Sequence, residues 1–271
     1  MSVSDHGRER WWWLNTIDLR AYWIGDKQDF MSGFLGGKRA LVTGASKGIG
    51  LAVAQALAIN GADVAICARS QADVEKSLGK LRDGVHGKVS GTATDVGKSR
   101  EVAKLFEFVD KELGGLDILV NNAGIGIFRS ARELSVDEWD QVIGTNLSGA
   151  FYCTHEALKR FEQAHGGRII NISSLAGKNP FAGGSAYNAS KFGMNALSEA
   201  TMLDHRQDNV AVSYIMPGSV ATEFGRQAAK GNSSWKIAPE DIAEIVLGVL
   251  RMPERTLISR VEVRPSRPQK D

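Results

Sequence analysis

From Lys38 onward, short apolar runs alternate with longer stretches that have helical periodicity. The first run, at residues 39–43, is followed by a glycine-rich turn and then by a helical pattern over residues 51–60 that ends at Gly61. Short apolar runs between turn signals are typical of strands that are buried on both faces of a parallel sheet. Alternation of such strands with helices predicts βαβ units joined by right-handed crossovers.

The same pattern continues along the rest of the chain and predicts an α/β fold. We expect a Rossmann-type, doubly wound, mostly parallel β-sheet with helices on both faces, formed as a single domain. Strands are predicted at residues 39–43, 62–68, 88–94, 116–121, 168–172, 210–215 and 257–263. Helices are predicted at residues 51–60, 71–81, 100–113, 136–164 with a kink near Gly144, 187–206 and 239–250.

Composition narrows the class of protein. The chain has 271 residues, of which 43% are hydrophobic, which suits one globular domain with a sizeable core. A net charge of +2 gives no electrostatic case for nucleic acid or an anionic membrane as a partner. Its two cysteines, Cys67 and Cys153, form neither a metal-ligand cluster nor a disulfide framework. No apolar run reaches the length of a transmembrane helix. We therefore expect a cytoplasmic protein with a small-molecule partner and no metal.

Residues 1–36 differ in composition from the rest of the chain, since four of the six tryptophans fall there. Polar residues such as Glu9 and Asp18 interrupt any signal-peptide pattern. One interpretation is a poorly ordered extension, or a start site placed upstream of Met31. The other is an amphipathic segment that docks on a partner, and we favour the first. The predicted divisions are an extension at 1–36, a single Rossmann-type domain at 37–265 and a tail at 266–271.

The glycine-rich turn after the first strand contains Gly44, Gly48 and Gly50. Glycines at such a turn let the backbone bend tightly and approach a pyrophosphate, whose charge is met by the N-terminus of the following helix. The spacing is Gly-x-x-x-Gly-x-Gly rather than the commoner Gly-x-Gly-x-x-Gly. An ordinary strand-to-helix turn is the alternative. The position at the first βαβ unit favours a dinucleotide site.

The end of the second predicted strand bears on the choice of cofactor. An acidic residue there would bind the ribose 2′-hydroxyl of NAD, whereas arginine suits the 2′-phosphate of NADP. The sequence has Arg69 at this place and no carboxylate, and Lys47 in the glycine turn adds a second cation. Either side chain could instead be a solvated surface charge. The pair favours NADP.

Two further strand ends carry candidate ligand contacts. Asp95 follows the third strand and either meets the adenine end of a nucleotide or serves as a turn or helix-capping carboxylate. Residues 121–124, Asn-Asn-Ala-Gly, follow the fourth strand, where ligands collect in open parallel sheets. Read alone, this segment is a turn.

Tyr187 and Lys191 stand four positions apart, so on a helix they share a face. At a separation of about 4 Å and an effective dielectric of about 20, an ammonium would favour the phenolate by roughly 4 kcal/mol. The pKa of the phenol could then fall from about 10 by up to roughly 3 units, towards the range of general acid–base catalysis. The spacing alone is common by chance and gains weight only beside the other segments.

Together these segments resemble the short-chain dehydrogenase/reductase family, in its single-domain branch, over about residues 37–265. The residues that carry the resemblance are Thr43, Gly44, Gly48, Ile49, Gly50, Asn121, Asn122, Ala123, Gly124, Asn146, Ser174, Tyr187, Lys191, Pro217 and Gly218. Much of the chain is similar to 3-oxoacyl-carrier-protein reductases. Its C-terminus at 261–265 lacks the glycine pair that is common in those bacterial enzymes, which weakens that substrate assignment.

The resemblance implies NADPH-dependent interconversion of a ketone or aldehyde and an alcohol. Tyr187 would be the general acid, Lys191 would lower its pKa and hold the nicotinamide ribose, and Ser174 would polarise the carbonyl. Ser173 is chemically equivalent, and the family's usual gap to the tyrosine selects Ser174. Asn146 would hold a proton-relaying water through its backbone, with a satisfied core asparagine as the alternative.

The resemblance also implies NADP(H) as cofactor and a homodimer or homotetramer built on the two long helices, 136–164 and 187–206. The segment 223–237 would cover the substrate as a mobile lid, with Phe224, Trp235 and residues near Phe181 as candidate pocket residues or ordinary packing. A nucleotide-binding regulatory protein that keeps the fold but lacks catalysis is the alternative function. Cofactor contacts are expected at Gly44, Ser46, Lys47, Gly48, Ile49, Gly50, Arg69, Asp95, Val96, Asn122, Ala123, Gly124, Tyr187, Lys191, Pro217, Gly218, Val220 and Thr222.

Overall fold

The computed structural model describes residues 33–82, 85, 87–224 and 234–268. In that part of the chain, seven strands form one sheet in the order β3-β2-β1-β4-β5-β6-β7, and every neighbouring pair is parallel. The strands are β1 (Arg39–Thr43), β2 (Asp63–Ala68), β3 (Val89–Ala93), β4 (Ile118–Asn121), β5 (Gly167–Ile172), β6 (Val210–Pro217) and β7 (Arg260–Val263).

Helices connect successive strands and cover both faces of the sheet. They are α1 (Gly48–Ile59), α2 (Gln71–Leu81), α3 (Ser99–Leu113), α4 (Val136–Ile143), α5 (Gly149–Ala164), α6 (Ser185–His205) and α7 (Pro239–Leu250). A π-helical segment, Gly144–Ser148, joins α4 to α5, and 3₁₀ turns lie at Leu175–Gly177 and Arg206–Asp208. The predicted doubly wound α/β fold is confirmed.

Side chains of the buried strands alternate between two apolar layers, as the period of a strand requires. In β1, Ala40 and Val42 belong to the layer formed with α1, α2 and α7, whereas Leu41 belongs to the layer formed with α3 and α5. Burying both faces explains why these strands read as continuous apolar runs.

Element boundaries differ from the prediction where tertiary pairing decides them. β6 continues beyond Ile215 through Pro217, because Met216 and Pro217 still pair with β7 at Glu262 and Val263. The predicted long helix at 136–164 is divided by the π-helical segment, which begins at the Gly144 where a kink was expected.

The packed chain includes residues before the predicted domain boundary at residue 37. Leu35 is 4% exposed and packs in the α1 layer, and its backbone N–H donates to Asn60 O at 2.9 Å. The guanidinium of Arg251 lies over the Phe34 ring, with its Cζ 4.7 Å from the ring centroid. The rest of the predicted extension, residues 1–32, lies outside the described residues, as do positions 269–271 of the predicted tail. None of the helices described is long and apolar enough to cross a membrane.

Candidate active site

A cleft opens at the carboxyl ends of the strands, where β1 lies between β2 and β4 and the strand order reverses. Ligands of open α/β sheets bind at such a switch point. The cleft is lined by the turn after β1, by the ends of β2, β3 and β4, and by the segment after β6. Its lining residues are Gly44, Ser46, Lys47, Gly48, Ile49, Cys67, Ala68, Arg69, Thr94, Asp95, Val96, Asn122, Ala123, Gly124, Ile125, Thr145, Thr222, Glu223 and Phe224.

The turn after β1 presents bare backbone to the cleft. Gly44 has φ +63°, and a Cβ added there would lie 2.6 Å from Ala123 Cα, so the turn after β1 rests directly on the loop after β4. The helix α1 that comes next has no side-chain cap at Lys47 and no acidic residue in its first turn. Its free N–H groups and positive helix end therefore suit an anion such as a phosphate.

Asn122 ties the two turns together. Its Nδ2 donates to Thr43 O at 2.9 Å and to Gly44 O at 3.0 Å, while its backbone N–H donates to Thr43 Oγ1 at 3.0 Å. Gly50 does not line the cleft. A Cβ at Gly50 would lie 2.3 Å from Asn122 Nδ2, so this glycine makes room for the clamp rather than approaching the ligand as predicted.

The two predicted cations, Arg69 and Lys47, differ in whether they form a salt bridge. Arg69 is exposed at the cleft and forms no salt bridge within the described part of the chain. Lys47 Nζ, by contrast, lies 3.0 Å from Glu223 Oε2, with both side chains largely in solvent. This hydrogen-bonded pairing lowers the pKa of Glu223. Of the two cations predicted to favour NADP, Lys47 therefore has an acidic partner, whereas Arg69 has no salt bridge to any described residue.

Asp95 combines features of both of its predicted roles. It lines the cleft, and its Oδ1 accepts the N–H of Gly97 at 3.1 Å in a local turn. Its backbone N–H donates to Glu101 Oε2 at 2.8 Å. The carboxylate is thus held by its own turn while facing the cleft.

Ser174 and Tyr187 meet beyond the end of β5. Ser174 precedes the 3₁₀ turn Leu175–Gly177, and its Oγ accepts the N–H of Ala176 at 3.1 Å. The same hydroxyl is hydrogen-bonded to the phenol of Tyr187. Ser173 instead donates to Asn195 Oδ1 and is buried. The structure therefore separates two serines that residue chemistry alone could not distinguish.

Lys191 lies on α6, one turn after Tyr187, and is buried. Its Nζ donates to Ile172 O at 2.8 Å and is 5.9 Å from the centroid of the Tyr187 ring. Burial lowers the pKa of Lys191 to about 8, because the charged form loses hydration.

The pKa of Tyr187 is raised, not lowered as the spacing predicted. Burial of the phenol is the main cause, and the hydrogen bond to Ser174 opposes it. A buried phenolate would lose hydration. Burial outweighs the attraction of the Lys191 ammonium for the phenolate, since that ammonium bonds to Ile172 O rather than to the phenol oxygen.

Asn146 is fully buried in the π-helical segment. Its Oδ1 accepts the N–H of Ile125 at 2.8 Å, and its Nδ2 donates to Ile125 O at 2.9 Å and to Ser190 Oγ at 3.1 Å. Ser190 Oγ in turn donates to Tyr187 O at 2.8 Å. Asn146 thus joins the loop after β4 to the helix that carries the tyrosine, and a role in proton relay stays a prediction.

The segment after β6 agrees with the prediction only in part. Thr222 lines the cleft, whereas Pro217, Gly218 and Val220 do not. Pro217 belongs to β6, the N–H of Gly218 donates to Val263 O at 2.8 Å, and Val220 forms a bridge with Ile237. Pairing with neighbouring backbone holds these three away from the cleft lining.

The predicted lid, 223–237, falls mostly on residues 225–233, which lie outside the described residues. Trp235 lines a separate groove with Val263 and Arg264. It therefore does not line the cleft, contrary to its prediction as a pocket residue.

Three phenylalanines surround the Tyr187 ring. The centroids of Phe128 and Phe224 each lie 5.6 Å from that of Tyr187, and the centroid of Phe181 lies 6.4 Å away. Phe128 was not predicted, because it stands in the loop after β4 without any periodic pattern. Thr94, Ile125, Thr145 and Glu223 were likewise missed as cleft residues. In the part of the chain described, no group of three or more His, Cys, Asp or Glu side chains could hold a metal ion.

Comparison with known proteins agrees with this geometry. The model of the family described as short chain dehydrogenase matches residues 38–233. The D-beta-hydroxybutyrate dehydrogenase of Cupriavidus necator is 34% identical over 234 residues, which cover 84% of this chain and 88% of that protein.

Solved structures are similar over nearly their whole length. An alcohol dehydrogenase from the archaeon Thermococcus sibiricus, complexed with 5-hydroxy-NADP, superposes with a TM-score of 0.79 at 30% identity, over 86% of this chain and 99% of that one. A metagenomic short-chain oxidoreductase in complex with NADP gives a TM-score of 0.75 at 36% identity, over 85% and 98% of the two chains.

Proposed function

This chain belongs to the short-chain dehydrogenase family, and from that premise we propose that it is an NADPH-dependent oxidoreductase that interconverts a ketone or aldehyde and an alcohol. The observation that carries the proposal is the phenol of Tyr187, hydrogen-bonded to Ser174 and followed one helical turn later by the buried ammonium of Lys191. This group lies next to a cleft whose shape and charge suit a dinucleotide. Phe224 lines that cleft and also contacts the Tyr187 ring.

The residues of the cleft fit NADP(H). Bare backbone at Gly44 and Gly48 and the uncapped N-terminus of α1 would hold the pyrophosphate. Arg69 at the end of β2, where NAD-binding folds carry an acid, would hold the 2′-phosphate. One of the two similar solved structures is a complex with 5-hydroxy-NADP and the other a complex with NADP, which supports NADP(H) rather than NAD as the cofactor. The cofactor would thus occupy the proposed NADP-binding domain, residues 37–265.

The proposed reaction assigns each side chain a task. Bound NADPH would supply the hydride that adds to the carbonyl carbon. Tyr187 gives its phenolic proton to the carbonyl oxygen, so that the C=O double bond becomes a C–O single bond bearing an O–H group. Its raised pKa keeps the phenol protonated near neutral pH, as proton donation in the reductive direction requires.

Ser174 and Lys191 support that proton transfer. The Ser174 hydroxyl, which is hydrogen-bonded to the phenol, would turn its single proton to the carbonyl oxygen once substrate is bound and stabilise the developing negative charge there. The Lys191 ammonium, 5.9 Å from the ring centroid, would stabilise the phenolate left after the transfer. Solvent then returns a proton to Tyr187.

The test combines turnover with binding. Purified protein with NADPH and a panel of ketones and aldehydes should lose absorbance at the reduced nicotinamide band. Tyr187→Phe should lower kcat by about a thousandfold or more, since it removes the general acid, while the Kd for NADPH changes little. Tyr152→Phe, the same change at a tyrosine that packs against the core layer of α3 and α5, should keep full activity.

Two outcomes would count against the proposal. A fully active Tyr187→Phe variant would refute the assigned general acid. NADPH binding without oxidation by any carbonyl compound would instead support a nucleotide-binding protein that lacks catalysis.

We also propose a homodimer or homotetramer in the cytoplasm, assembled through α4, α5 and α6. Supporting this, large apolar side chains stand exposed on these helices: Val136, Trp139, Phe151, Phe192 and Leu203. Exposed large apolar side chains on these helices are candidates for an association surface. Light scattering of the full chain should give two or four times the mass of one chain, and a monomer would refute the assembly.

A further inference from the structure

We propose that the site takes ketones or aldehydes whose carbonyl carries an aromatic or similarly flat, apolar substituent, and that Phe128, Phe181 and Phe224 set this preference. The proposal rests on the proposed function of Tyr187 as proton donor. It names the class of substrate that the same site would favour.

The three phenylalanines form an aromatic wall beside the donor. Phe128 meets Tyr187 edge to face, with centroids 5.6 Å apart and planes at 79°. Phe181 lies 5.7 Å from Phe128. Each ring is nevertheless well exposed, at 47% for Phe128, 45% for Phe181 and 41% for Phe224. An apolar ring placed against this wall would remove its surface from water and add edge-to-face contacts.

Glycine backbone holds the rings in place. A Cβ at Gly126 would lie 2.7 Å from the Phe128 ring and 2.8 Å from the Phe224 ring, so both rings pack onto that bare backbone. A Cβ at Gly184 would lie 2.6 Å from the Phe181 ring. Asn188 Nδ2 also donates to Phe181 O at 2.8 Å. The wall is therefore built by the fold rather than by chance exposure of three side chains.

Two cations that adjoin the wall in the sequence or on α6 are already engaged. Arg129, which comes directly after Phe128, pairs with Glu138 at 2.9 Å. Lys191 is buried and donates to Ile172 O. A substrate with a carboxylate close to its carbonyl would bring a negative charge against phenyl rings and lose hydration there. We therefore infer that a short 3-oxo acid is a poorer substrate than an aryl ketone of similar size.

The experiment compares acetophenone, 2-butanone and acetoacetate with NADPH as the reductant. For the full-length protein, kcat/KM for acetophenone should exceed that for each of the other two by about tenfold or more. Phe128→Leu and Phe181→Leu should each lower kcat/KM for acetophenone by about fivefold, with that for 2-butanone changed by less than about twofold.

Two further variants separate the wall from general effects on folding. Phe108→Leu makes the same change on α3, outside the wall, and should leave the ratio of acetophenone to 2-butanone unchanged. Gly126→Ala removes no aromatic ring but displaces those of Phe128 and Phe224, so it should lower that ratio.

Failure of this proposal can be told apart from failure of the proposed function. Efficient reduction of acetoacetate or 2-butanone with rejection of acetophenone would leave the oxidoreductase standing and overturn only the substrate class. An equal change of the ratio in Phe128→Leu and Phe108→Leu would overturn the role of the wall. If no carbonyl compound oxidises NADPH, the proposed function fails and this proposal fails with it.

Discussion

Lys47 Nζ lies 3.0 Å from Glu223 Oε2 and joins the turn after β1 to the segment after β6. Both residues line the cleft, although 176 positions separate them in the chain. One of the two cations expected to bind a 2′-phosphate is thus paired with an acid from the opposite side of the cleft. NADP and Glu223 would compete for the same ammonium.

Glu223→Gln should release Lys47 and strengthen binding of NADP. Exposed ion pairs contribute little, so we expect the Kd for NADP to fall by about threefold while the Kd for NAD stays the same. Fluorescence titration would measure both, and the difference should shrink at about 0.5 M salt because screening weakens the interaction. Glu244→Gln, an exposed glutamate on α7, is the control. Unchanged or weaker NADP binding in Glu223→Gln would contradict the competition.

Arg69→Ala should weaken binding of NADP far more than binding of NAD. A charge-assisted hydrogen bond to phosphate would be lost, so the Kd for NADP should rise by about tenfold or more, with that for NAD altered by less than about twofold. Arg82→Ala, an exposed arginine just after α2, should change neither. Tighter binding of NAD than of NADP by the unchanged protein would refute the cofactor assignment.

Lys191→Met should make the protein more stable near neutral pH while abolishing activity. The pKa of Lys191 is about 8 in the folded protein against 10.5 ordinarily. Below that folded pKa, keeping the ammonium buried costs roughly 3 kcal/mol. The hydrogen bond to Ile172 O offsets about 1 kcal/mol of that gain in the variant.

The pH dependence checks the sign of this effect. Between the folded pKa of about 8 and 10.5, the unfolded chain binds more protons, so the stability of the unchanged protein rises with pH in this window. Urea unfolding across it should show the advantage of Lys191→Met shrinking towards its upper end. Lys104→Met, at an exposed position of α3, should show no such trend. A less stable Lys191→Met near neutral pH would contradict the prediction.

Asn146→Leu should destabilise the fold by about 2 kcal/mol or more, because the N–H and C=O of Ile125 would lose their partners in a part-buried place. Urea unfolding would measure the loss. Asn60→Leu is the comparison and should cost clearly less, because the side-chain amide of this part-buried asparagine donates to Ala56 O in its own helix. Equal losses of unfolding free energy in the two variants would mean that the Ile125 contacts add no more stability than the single bond to Ala56 O.

Local pattern was enough to predict the architecture. The apolar run of β1, the glycine turn after it and the helical period of α2 and α7 each lie within a few neighbouring residues, and the sheet results from their alternation. The cleft could be predicted as well, since strand ends meet at one edge of a parallel sheet. The prediction that Ser174 and Tyr187 are site residues rests on their spacing, which resembles that of the family.

Other features depend on contacts between distant segments. Glu223 pairs with Lys47 across the cleft, which no local pattern indicates. The pKa of Tyr187 depends on burial, whereas a spacing of four residues reports only that two side chains share a helix face. Phe128 stands in an aperiodic loop, and only the fold brings its ring to Tyr187.

The π-helical segment constrains which insertions and deletions this chain can tolerate. The N–H of Gly149 donates to Gly144 O, five residues back, so this turn holds one residue more than an α-helical turn. Because the wide turn takes up this extra residue, deleting one residue here would merge α4 and α5 into a regular helix with little rotation between them. The turn that carries Asn146 would tighten, and its hydrogen bonds to Ile125 would be lost. The helix would become more regular at the expense of the contact that joins it to the loop after β4.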